Sequence, residues 1–129
     1  MANVLTVGGR ELIVGRIMAV GSGIGTAEAK YIAWGTGAGT SGTADTTLFG
    51  EASETRVTGT SSKQTGTSTN NTYQVVGTLT ANGTKTITNA GLFDSASSGA
   101  GTMFVKGDFT GIALNLSDSI QLTFQVAFT

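Results

Sequence analysis

A mainly β, single-domain β-sandwich of jelly-roll-like type is the fold this sequence predicts, and three observations point to it. Thr, Ser and Gly number 23, 11 and 20, or 54 of 129 residues. Threonine, with the scattered Val, Ile and aromatic residues, favours pleated and half-buried backbone. Turn signals made of Gly, Asn, Asp and Ser recur about every 8–12 residues, the spacing of a sandwich rather than of βαβ units. The segment from Ser119 to Phe128 alternates strictly, with Ile120, Leu122, Phe124, Val126 and Phe128 on one face and Gln121, Thr123 and Gln125 on the other. Period-two alternation of that length is a strand with one face on a core.

Residues 1–28 form an N-terminal arm. Ile13, Ile17 and Val20 fall at i, i+4 and i+7 and predict a short helix near residues 9–20, although Leu12, Val14 and Met18 also fit an alternating strand. Gly21 to Gly25 detaches the arm from a β domain over 29–129. Residues 30–34 (Lys-Tyr-Ile-Ala-Trp) predict a short buried strand, and the glycine-rich stretch Gly35 to Gly42 a loop. Residues 54–69 predict a long polar strand bent near Gly59 or Gly66. Asn70-Asn71 turns the chain into a strand over 72–80 with Tyr73, Val75 and Leu79 on one face. Asn82-Gly83 is a hairpin signal, because both positions of a type I′ turn require positive φ. It returns the chain into Thr84–Thr88, followed by a loop of small residues, Ser95 to Gly101, and a strand over 102–110.

Composition excludes several functions. There is no Cys and no His. That removes disulfides, thiolate zinc sites, cysteine nucleophiles and imidazole chemistry. Seven basic and eight acidic residues give a net charge of -1, which argues against a nucleic-acid binder or a polybasic membrane-surface protein. No run reaches the roughly 18 apolar residues of a membrane span, and the first residues carry no secretion signal. Gly37 to Gly42 matches G-x-G-x-x-G, but no amphipathic helix follows to receive a pyrophosphate, so the match is a loop. Most of the carboxylates lie beside Gly, Ser or Thr and read as solvated turn groups; Asp45 is expected as a turn or cap residue and Asp118 in the turn before the last strand. No calcium loop occurs. Trp34 reads as core, and Tyr31 as a sheet-edge or interface residue. The expectation is a protein without catalytic residues, metal, cofactor or small-molecule substrate.

Long hydroxyl-rich strands without charge or proline would aggregate if left bare, so their edges are expected to be paired or covered in an assembly.

Four segments carry a resemblance. Tyr31-Ile-Ala-Trp-Gly-Thr-Gly37, Asp45-Thr-Thr-Leu-Phe-Gly-Glu-Ala-Ser-Glu-Thr-Arg56, Thr72-Tyr-Gln-Val-Val-Gly-Thr78 and Ile87-Thr-Asn-Ala-Gly-Leu-Phe93 are similar to small structural proteins of tailed bacteriophages, as is the closing Asp118-Ser-Ile-Gln-Leu-Thr-Phe124. The similarity runs over most of residues 28–128. It implies a virion component, foremost a capsid decoration (cement) protein on the outer capsid surface. Such proteins are commonly homotrimers that bridge subunits of the major capsid protein and so stabilise the head. A tail or fibre-associated structural protein is the alternative, and a carbohydrate-binding adhesin module a more distant one. On the decoration reading the arm reaches a capsid subunit or sister protomer by strand addition. Val4, Leu5, Val7, Ile13 and Ile17 are its apolar anchors, and Tyr31 joins them as an interface residue. A terminal element packed on its own domain is the competing expectation for the arm.

Overall fold

The computed structural model describes residues 2–6, 8–9, 28–65 and 72–127, with backbone alone for Ala2 and Lys63. Among the described residues eight strands follow in chain order: β1 (Ala2–Leu5), β2 (Tyr31–Gly35), β3 (Val57–Thr58), β4 (Thr60–Gln64), β5 (Thr72–Thr80), β6 (Lys85–Phe93), β7 (Met103–Leu114) and β8 (Ser119–Ala127). They form a five-stranded sheet in the order β1-β7-β6-β2-β3 and a three-stranded sheet in the order β4-β5-β8. Every pairing is antiparallel. The protein is a mainly β sandwich.

The core lies between the sheets. Ile32 and Trp34 of β2, Ile87 and Leu92 of β6, and Val105 of β7 meet Val75, Leu79, Leu122 and Phe124 of the smaller sheet. Ile32, Val75, Ile87, Leu92 and Phe124 are fully buried. Burying each such side chain is worth about 1.5–3 kcal/mol relative to exposing it. Tyr73 meets Phe104 edge-on, with ring centroids 6.0 Å apart.

One chain segment closes one side of the sandwich. β3 pairs with β2 in the larger sheet, and β4 pairs with β5 in the smaller one. Between them stands Gly59, whose N–H donates to the Lys30 carbonyl at 2.8 Å. A β-carbon there would overlap the Val75 side chain, so only glycine lets the strand cross layers at this point. Of the long polar strand expected over 54–69, the described residues form β3 and β4, broken at Gly59; residues 66–69, with the alternative bend at Gly66, lie outside the described residues. The Asn70-Asn71 turn lies outside the described residues.

The Asn82-Gly83 hairpin does not form. β5 lies in the smaller sheet beside β4 and β8, and β6 lies in the larger one beside β2 and β7. Neither Asn82 nor Gly83 has positive φ. The apolar faces of β5 and β6 are needed on opposite walls of the core, and that requirement overrides the local turn preference. β6 and β7 each run longer than expected, through Phe93 and through Leu114.

The first strand, inside the region read as an arm, belongs to the larger sheet. Ala2–Leu5 pairs with Val105–Asp108 of β7. Thr6 is buried, its hydroxyl donating to the Met103 carbonyl at 2.7 Å and accepting the Gly9 N–H at 3.0 Å. Gly8 and Gly9 carry helical backbone, and a hydroxyl three residues before an N–H is the geometry of a helix N-cap. Residues 10–20 of the expected helix lie outside the described residues.

Candidate functional site

The outer faces of the two sheets are finished differently. The larger sheet carries a third layer. Residues 36–55, which contain the G-x-G-x-x-G match, lie over it as irregular backbone. Leu48 of this segment packs on Ala33, Phe93 and Met103 in a second small core, with Tyr31 against it.

Three cations fasten the layer. Lys106, wholly buried in β7, donates to Asp45 Oδ2 at 2.9 Å and to the Thr47 carbonyl at 3.0 Å. Its Nζ sits 3.1 Å from the centre of the Phe49 ring. Arg56 makes a two-pronged contact with Glu51, at 2.9 and 2.8 Å. It also donates to the carbonyls of Ser95 and Ala100, each at 2.9 Å, and stacks over Phe93. The third cation, Lys85, pairs with Glu54, which also accepts the Trp34 indole N–H at 2.8 Å.

Asn89 adds a neutral clamp. The β6–β7 register shifts between Ile87 and Asn89, and the Asn89 amide then meets Phe49 as a strand neighbour would. Its Oδ1 accepts the Phe49 N–H and its Nδ2 donates to the Phe49 carbonyl, both at 3.0 Å. Asn89→Ala leaves both backbone groups of Phe49 without these partners. A loss of about 1–3 kcal/mol is expected in denaturant unfolding.

These contacts correct the expectation of solvated turn carboxylates. Asp45, Glu51 and Glu54 each hold a buried or nearly buried cation. Asp94 is buried and accepts the Thr102 N–H at 2.6 Å, and Asp108 accepts that of Ser41 at 2.9 Å. Asp118, as expected, closes a turn by accepting the Asn115 N–H at 2.8 Å. The hydrogen bond from Lys106, with that from the Gly42 N–H, holds the Asp45 carboxyl below its ordinary range. Burial pushes Glu51 up, but the hydrogen bonds and charge of Arg56 outweigh it, and the net shift is downward. Burial and the neighbouring Glu28 carboxylate push the Tyr73 hydroxyl upward.

Every charged side chain whose placement is described, Lys63 not being among them, thus has a partner in its own chain; the remaining pair is Lys30 with Glu28. A missed signal for this arrangement lay in Met103-Phe-Val-Lys106, where a lysine interrupts an apolar run.

The outer face of the smaller sheet carries no such layer among the described residues. It presents Thr60 and Ser62 of β4, Gln74, Val76, Thr78 and Thr80 of β5, and Ser119, Gln121, Thr123 and Gln125 of β8. None is charged. Gln125 donates to Gln74 at 2.7 Å, and the hydroxyls of Thr80 and Ser119 lie 2.6 Å apart. This flat neutral face, with the β8 edge beside it, is the candidate site. A shallow cavity of about 400 Å³ opens near its rim between Ser53, Val57, Leu79 and Asn82. Its charged group, Glu54, is already held by Lys85 and Trp34.

Of the residues singled out in the sequence, the described ones, Val4, Leu5 and Tyr31, are not brought together. Val4 and Leu5 lie on β1, paired within the chain, and Leu5 packs on the main core. Tyr31 is half-buried against the second core. Val7, Ile13 and Ile17 lie outside the described residues. Trp34 is 1% exposed, so it offers no stacking platform for a sugar. Among the described residues no group of three or more His, Cys, Asp or Glu could hold a metal ion, and no helix is long and apolar enough to cross a membrane.

No protein-family model, curated protein or solved structure matches the chain.

Proposed function

We propose that this chain is a structural protein of a tailed-phage virion, a capsid decoration protein that works as a homotrimer on the outer capsid surface and bridges major capsid subunits. The observation that carries the reading is the contrast between the two outer faces. One is partly covered by the protein's own ion-paired layer. The other is flat, neutral and rich in hydroxyl and amide groups, with no charge to oppose burial under a partner. The resemblance to phage structural proteins over most of residues 28–128 supports the same reading.

The mechanism is mass action. A protein that binds assembled heads and not dispersed subunits stabilises the assembled state, by about 2.7 kcal/mol per site at a hundredfold excess over Kd. Purified protein added to undecorated cognate heads is expected to saturate and to raise their disruption temperature. Gln74→Arg with Thr78→Arg places two charges on the neutral face at positions that do not line the core. Head occupancy is expected to weaken at least tenfold, while folding stability stays within about 0.5 kcal/mol, as for ordinary surface changes. Unchanged occupancy removes this face from the mechanism. No wild-type binding removes the decoration reading and leaves the tail or fibre alternative, which imaging of labelled protein on virions locates. Deleting residues 1–20 is a poorer probe of the arm, because it strips β1 from the larger sheet and mixes fold loss with contact loss.

A further inference from the structure

The second feature of the smaller sheet is the β8 edge. β8 pairs with β5 without a break from Ser119 to Ala127, and among the described residues its other edge has no partner. Its nine residues carry no charge, no proline and no bulge, three of the devices that keep a sheet edge from pairing.

The sequence of β8 is complementary to itself. Thr123 is its middle residue. If a second β8 is laid antiparallel about a two-fold axis at Thr123, Leu122 faces Phe124, Gln121 faces Gln125, and Ile120 faces Val126. Each pair matches apolar with apolar on the core side or polar with polar on the outer side. A slip of one residue would set Leu122 against Thr123 and put a core residue on the wrong face. A slip of two would set Gln121 against Ala127 and shorten the overlap. Two further details agree. Ile120 and Val126 are only partly buried in their own domain, and a second strand would cover them. Gln125 already bonds across to Gln74, so Gln121 of the second copy extends that row of amides.

We infer that β8 pairs antiparallel with β8 of a second copy of this chain about a two-fold axis at Thr123, joining two three-stranded sheets into one of six. The inference does not rest on the virion reading, and a two-fold contact here can join copies that a three-fold contact elsewhere assembles.

Because the chain has no native cysteine, register can be read by single-cysteine crosslinking. Thr123→Cys faces itself at a Cα separation within disulfide range, about 4.4–6.8 Å. It is expected to give a disulfide-linked dimer under mild oxidation. Ser119→Cys, which faces Ala127 of the second copy, is expected to give little. In native mass measurements, Gln121→Lys with Gln125→Lys sets like charges opposite each other twice. It is expected to weaken the two-fold contact at least tenfold. Gln121→Glu with Gln125→Lys sets opposite charges together and is expected to restore it. The inference is overturned if Thr123→Cys links no faster than Ser119→Cys, or if the two charge variants have the same native mass.

Discussion

Asp45→Ala is expected to destabilise the fold by about 3–5 kcal/mol, the usual cost of removing one member of a buried ion pair. The effect should be strongly unequal between the two partners. Lys106 has no solvent exposure, whereas the Asp45 side chain is 26% exposed. Without Asp45 the ammonium keeps the Thr47 carbonyl and the Phe49 ring but has no counter-charge. Without Lys106 the carboxylate can turn to water. Lys106→Met, similar in volume and without charge, is therefore expected to cost much less and to be near neutral. Chemical denaturation of the two variants measures the asymmetry. Equal losses in both variants would show that the pair acts through packing and not through charge.

Arg56→Lys is expected to cost about 2–4 kcal/mol despite the retained charge. A planar fork grips Glu51 with two nitrogens while a third reaches two carbonyls, and a single ammonium cannot reproduce that geometry. The loss joins three segments, because Arg56 ties residues 36–55 to the turn that carries Ser95 and Ala100. Acid should act on the same contacts. Asp45 and Glu51 have folded pKa values below their ordinary ones, so the folded state binds protons less readily than the unfolded chain. Their contribution is fully present above the ordinary carboxylate pKa, about 4. It is lost as pH falls through the depressed folded values. Thermal unfolding should show a flat stability from neutral pH to about pH 5 and a steep fall below about pH 4. In Arg56→Lys the fall should begin at higher pH.

β8 was legible in the sequence because its alternation is strict and its partner face is simple. β2 was legible as a short apolar run before a glycine-rich loop, and the Gly59 bend because a glycine interrupts a polar strand. The Asn82-Gly83 misreading has a definite cause: a two-residue signal reports local φ preference and carries no information about which layer the next strand joins. The ion pairs were illegible for a related reason. Asp45 and Lys106 are 61 residues apart, and no local pattern couples them. A carboxylate between Ala44 and Thr46 looks like any turn residue until the sheet beneath it is known. The neutral face was visible as composition, since Thr, Ser and Gly dominate, but its confinement to the smaller sheet follows from the loop that partly covers the larger one.

The pairing of β1 with β7 bears on how the molecule is made. Thr6 bonds to the carbonyl of Met103, 97 residues downstream. At about 5–20 residues per second, the first strand waits roughly 5–20 s on the ribosome before its neighbour exists. The larger sheet therefore cannot close during most of synthesis, and the nascent chain spends that interval with one wall unfinished. Copies must complete themselves before they can meet as finished bricks.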